Sequence, residues 1–98
     1  MSRTLAAIVE SGSDKNWIRC EDGFKLSVVV HSNTYCLPRN GPAPYTHVEV
    51  GFPSQRPEPW DKAWRGLAEE PEEPTRTVYA YVPVALVEAL IELHGGEK

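Results

Sequence analysis

The chain has 98 residues, 41% hydrophobic and 24% charged, a balance that predicts a single globular domain over residues 1–98 and excludes wholesale disorder. A formal net charge of −4 gives no basic footprint for nucleic-acid phosphate, and no apolar run approaches the roughly 18 residues of a membrane span. The opening stretch has one Arg and an apolar run broken by Glu10, unlike a secretory signal, so the chain is expected inside the cell with Cys20 and Cys36 reduced. Spacing alone leaves a disulfide between them open.

In chain order, Leu5–Val9 is the candidate for a fifth strand. Trp17–Cys20 reads as a strand that turns at Asp22-Gly23, a pair whose two positions tolerate positive φ, into a strand over Lys25–His31. There Leu26, Val28 and Val30 point one way. His47–Phe52 is the next strand, with Val48, Val50 and Phe52 on one face and Glu49 on the other. Thr77–Val82 alternates Val78, Ala80 and Val82 against Thr77, Tyr79 and Tyr81, which puts both tyrosine rings on one face. Pro83 suits the first turn of a helix that runs to His94, with Leu86, Val87, Leu90, Ile91 and His94 along one side and Gly95-Gly96 as its stop. The expected fold class is α+β: four or five mostly antiparallel strands packed by a C-terminal helix.

Two irregular connections interrupt this scaffold. Residues 32–44 (SNTYCLPRNGPAP) are rich in Pro, Gly and Asn and read as loop. The stretch 53–75 holds five prolines, which exclude long regular structure, although Trp60–Glu69 fits a short helix with Trp60, Trp64 and Leu67 facing inward.

Motifs that carry chemistry are few. Neither GxxxxGK[ST] nor GxGxxG occurs, so no phosphate-binding loop is expected. A zinc site would draw on Cys20, Cys36, His31 and His47, which come from separate segments without the close ligand pairs such sites use; no metal or cofactor is expected. The plainer reading makes Cys20 a small buried strand residue and leaves both histidines at sheet edges. Cys36 with His47 is the one candidate nucleophile and base, but no orienting acid or oxyanion donor accompanies them, so enzyme activity is not expected.

Binding is the easier use of such a chain. Glu58, Asp61, Glu69, Glu70, Glu72 and Glu73 form an acidic segment opposed internally by Lys62 and Arg65. It reads either as solvated surface or as carboxylates held out by prolines to meet Lys and Arg of a partner. Trp60 and Trp64 are suited to anchoring an interface or to packing against the sheet, and one is expected buried with the other partly exposed. Tyr35, Arg39, Tyr45 and His47 lie in or beside the other connection, as contact residues on a stiff loop or as cover for sheet edges.

The runs TYCLPRNGPAPYTHVEVGFPS and YAYVPVALVEALIELHGG, within roughly Phe24 to Gly96, resemble small proteins of phages and mobile elements, and the chain is similar in type to the anti-CRISPR proteins. That resemblance carries no residue roles. It implies an inhibitor in the host cytoplasm that binds a CRISPR–Cas effector stoichiometrically and blocks target DNA binding, without contacting nucleic acid or membrane itself, as a monomer or homodimer. At −4 the chain is far less acidic than an imitator of duplex DNA, so a local acidic patch is the expected contact. The alternative is a structural or housekeeping phage accessory protein without inhibitor activity, with a homodimer as one form of it.

Overall fold

The computed structural model describes residues 2–30, 34–38 and 42–98, so His31 and Arg39 lie outside the described residues. Its elements are α1 (Arg3–Ser11), β1 (Trp17–Arg19), β2 (Lys25–Val29), β3 (His47–Gly51), β4 (Val78–Pro83) and α2 (Val84–Leu93). A wide π-type turn (Trp60–Trp64) runs into a tight 3-10 turn (Arg65–Leu67) within the β3–β4 connection. The strands form one antiparallel meander in the order β1-β2-β3-β4, giving the expected α+β fold with its C-terminal helix.

The run Leu5–Val9 is helical, not a fifth strand. Ser2 keeps extended backbone (φ −60°, ψ 145°) and accepts the Leu5 N–H at 3.0 Å, which satisfies one of the donors a helix start leaves open. At the other end Gly12 takes φ +67° and returns its N–H to Ile8. Between these caps Leu5, Ile8 and Val9 recur at helical spacing and are buried.

Between β1 and β2 the chain turns where expected, with different geometry. Gly23, at φ +94°, is the position that needs the left-handed region, and its N–H reaches the Cys20 carbonyl at 3.0 Å. Asp22 contributes through its side chain instead, accepting the Phe24 N–H at 2.9 Å. Its other oxygen lies 2.6 Å from Nδ1 of His94, whose ring stacks on Phe24 at 3.9 Å. The turn is thereby tied to the end of α2.

One sheet face is the core, formed by Ile18, Leu26, Val28, Val48, Val50, Tyr79 and Val82, all fully buried. On it α1 lies against β1 and β2, while α2 lies against β4 and buries Val87, Leu90 and Ile91. Pro83 closes β4 as the N-cap of α2, one residue earlier in role than a first-turn proline.

Two expected side-chain directions are corrected on the opposite face. Val48 pairs with Val82 and Val50 with Tyr79, so Ala80 and Tyr81 together oppose the single residue Glu49. This bulge, with Tyr81 at φ +51°, puts Tyr79 in the core and turns Tyr81 away from it. Phe52 follows β3 at φ +50°, which leaves its ring 50% exposed where uninterrupted alternation would bury it.

Each sheet edge is met at one place by another segment. Beside β1, Cys20 bridges Glu97 and the Arg19 carbonyl accepts the Lys98 N–H at 2.8 Å. Beside β4, Ala68 bridges Tyr79 and the Val78 carbonyl accepts the Glu69 N–H at 3.0 Å. An open edge offers a ladder to other chains, and these segments occupy part of it.

Candidate interaction site

The two proline-rich connections meet on the sheet face opposite the core. From the first, the Tyr35 N–H donates to Glu49 Oε1 at 3.1 Å and the Tyr35 carbonyl accepts the Tyr81 N–H at 3.1 Å. The Tyr35 and Tyr81 rings lie 5.7 Å apart, tilted by 52°, within the range of favourable aromatic pairs. From the second connection comes Glu69, whose carboxylate beside the Tyr35 hydroxyl, with a smaller contribution from the Glu49 charge, holds the phenol above its ordinary value, so Tyr35 stays neutral. Leu37 pairs with His47 through N–H···O bonds of 3.0 and 3.3 Å, fixing the loop across the strand end. Tyr35 and Leu37 keep 38% and 39% of their surface exposed.

The remaining acidic residues differ in their surroundings. Glu58 pairs with Arg56 at 3.0 Å and also accepts the Trp60 N–H, and those two bonds, Arg56 first, lower its pKa. Asp61 faces Arg65 at 3.7 Å across one helical turn. Glu70, Glu72 and Glu73 are exposed around a turn in which the Glu70 carbonyl accepts the Glu73 N–H at 2.9 Å. Among the described residues no ion pair involves these three side chains. The carboxylates on offer are therefore Glu69, Glu70, Glu72 and Glu73, with Glu49 beside them.

Trp60 is not a surface anchor, and both tryptophans of the segment are buried. Tyr79 explains why, since Trp60 and Trp64 meet its ring edge-on at 6.3 and 5.4 Å. Burial pushes the Tyr79 phenol up to about 12, and its hydroxyl donates to the Pro74 carbonyl, pinning the acidic turn to the core. Tyr45 is half-buried and tied to α1, with its N–H on the Val9 carbonyl at 2.9 Å and its ring 3.7 Å from where a Cβ on Gly12 would sit.

Trp17 belongs among the surface residues and was not a sequence candidate. It is 45% exposed, with the Lys25 ammonium 5.7 Å from the ring centre. The signal was parity: Trp17 shares a strand face with Arg19, opposite buried Ile18.

Both cysteines are buried and not disulfide-bonded, and burial, then Asp22 and Glu97, raise the Cys20 thiol to about 11. Among the described residues no three His, Cys, Asp or Glu side chains are placed to share a metal ion. The depression between the end of α1 and β2 is open and lined by Gly12, Ser13, Asp14, Asn16, Val29 and Val30. No helix of the described residues is long and apolar enough to cross a membrane. Comparison with protein-family models, curated proteins and solved structures finds no match for this chain.

Proposed function

We propose that this protein acts by stoichiometric binding to a basic protein surface, as a phage-derived inhibitor that denies a CRISPR–Cas effector its target DNA. The reading is carried by the meeting of the two proline-rich connections on one sheet face, where the Tyr35 N–H donates to Glu49, its ring packs on Tyr81 and the Glu69 carboxylate stands beside its hydroxyl, making one acidic, aromatic patch. Such a patch suits arginine and lysine. A guanidinium donates to carboxylates in charge-assisted pairs and also lies favourably against a tyrosine face. Residues of that kind hold phosphate in a nucleic-acid channel, so occupying them excludes DNA without imitating a duplex. The proline-rich backbone and the Tyr79–Pro74 bond support the patch, because a contact surface ordered beforehand loses less entropy on binding.

The test is a variant carrying E69Q, E70Q, E72Q and E73Q, which keeps each side chain's shape while removing four charges. Affinity for a purified effector is expected to fall at least tenfold, with the melting temperature within about 2 °C of the parent, since exposed substitutions rarely move stability by more than about 0.5 kcal/mol. Unchanged affinity removes the segment from the mechanism. A parent protein that binds no effector across a panel of subtypes ends the inhibitor reading.

A further inference from the structure

Cations gather at one corner of the outward sheet face. The loop that carries Tyr35 and Leu37 crosses the β3–β4 half, and among the described residues none of its hydrogen bonds reaches β1 or β2. On β1, Trp17 and Arg19 stand outward beside buried Ile18, and Lys25 of β2 is the direct cross-strand partner of Arg19. The C-terminal residues add a third position. Glu97 bridges Cys20 and reaches Thr4 on the core side, so alternation turns Lys98 outward. Its N–H on the Arg19 carbonyl at 2.8 Å sets it beside that residue. Lys98, Arg19 and Lys25 therefore form a row about 10 Å long, across segments spaced about 4.8 Å apart. All three are exposed, and among the described residues no ion pair involves any of them. The neighbouring carboxylates are engaged elsewhere: Asp22 with His94, Glu97 with Thr4, and Glu21 against Gly95. Like charges directly opposite each other on a sheet are destabilising, so an anion is favoured at this row. Beside it the Trp17 ring is 45% exposed, with the Lys25 ammonium 5.7 Å from its centre.

We propose that this corner of the sheet binds single-stranded nucleic acid, with a base stacked on Trp17 and the adjoining phosphates on Arg19, Lys25 and Lys98. An acidic peptide would also meet the cations, but a flat, half-exposed indole beside them suits the π-face that every base presents. A duplex keeps its base faces within the stack, so the indole selects single strands. The formal net charge of −4 conceals this footprint, because the three cations come from separate segments and the acid is concentrated between Glu58 and Glu73. The corner is built from β1, β2 and the C-terminal residues, so its binding does not depend on what the acidic patch takes.

Anisotropy of a labelled oligothymidylate about eight nucleotides long, titrated with the full chain, reads the binding directly. Each phosphate contact on a single strand contributes about −0.7 to the slope of log K against log salt. Between about 20 and 300 mM salt a slope of about −2 is therefore expected for the parent, and about −1.4 for R19Q, K25Q or K98Q. Trp17→Ala should weaken binding at least fivefold. So should an abasic oligonucleotide of the same length on the parent, a measurement that serves if the variant fails to fold. The E69Q/E70Q/E72Q/E73Q variant should bind the oligonucleotide at least as tightly as the parent, whatever becomes of its affinity for an effector. No binding by the parent up to about 500 μM at the lowest salt overturns the proposal. Equal affinity for the abasic strand or for polyglutamate of the same charge, or a slope untouched by the charge variants, overturns it as well.

Discussion

Replacing Glu97 by alanine should loosen α1 from the rest of the molecule. The Glu97 carboxylate accepts the Thr4 N–H at 2.9 Å and the Thr4 hydroxyl, and Thr4 lies in the first turn of α1, where amides lack partners within the helix. Each hydrogen bond contributes about 1 kcal/mol net, and an anion at a helix start about 0.3–1 kcal/mol. Water replaces part of this at a half-buried site, so E97A is expected to cost about 1.5–2 kcal/mol by urea denaturation. For a domain of this size that lowers the melting temperature by about 6–15 °C. E97Q keeps an acceptor for the amide and should lose about half as much. Desolvation raises the Glu97 pKa, but the Thr4 bonds, Ser2 and Arg3 outweigh it and hold the carboxyl below its ordinary 4.5. A depressed carboxylate contributes stability that is fully present above the unfolded value and is lost as pH falls through the folded one. The difference between parent and E97Q should therefore be constant near neutrality and shrink below about pH 4.5. An E97A melting temperature within about 2 °C of the parent, or a difference that grows on acidification, would refute the reasoning.

Two glycines offer a cleaner contrast. Gly23→Ala adds a methyl that meets nothing within 4 Å, so its expected loss of about 1–2 kcal/mol in chemical denaturation comes from the φ of +94° alone. Gly66→Ala also meets nothing but has no such φ, and should be neutral or stabilise by up to about 1 kcal/mol. Trp17 should supply the quencher-accessible tryptophan fluorescence, because Trp60 and Trp64 are buried: acrylamide should quench Trp17→Phe far less than the parent.

What the sequence made legible was local. Strand alternation in β2 and β3, the Asp22-Gly23 turn and the helix after Pro83 each rest on neighbours within a few residues, and the structure places them close to where they were read. The run Leu5–Val9 was too short for periodicity to separate strand from helix, and Ser2 and Gly12 at its ends were the deciding signals. Phe52 and Tyr81 escaped because a positive φ in an aromatic residue is set by what surrounds it, as β3 opposite the Ala80–Tyr81 pair shows. The tryptophans were misjudged for a similar reason, since a single distant ring, Tyr79, receives both. Of the candidate site, Tyr35 and the glutamates were legible as residue types. Their convergence was not, because Tyr35 and Glu69 belong to connections that only the meander brings together.

The bulge in β4 makes that strand one residue longer than the stretch of β3 it matches, a difference in contour of about 3.3 Å. Strict alternation would set Tyr79 and Val82, three positions apart, on opposite faces, and the extra residue lets both point inward. The added residue thus decides which side chains of β4 are buried as well as where the outward ones aim. It swings Tyr81 towards Tyr35 while Tyr79 keeps its seat between the tryptophans. Length in this strand acts as a change of phase, tying the aim of the surface rings to the packing beneath them.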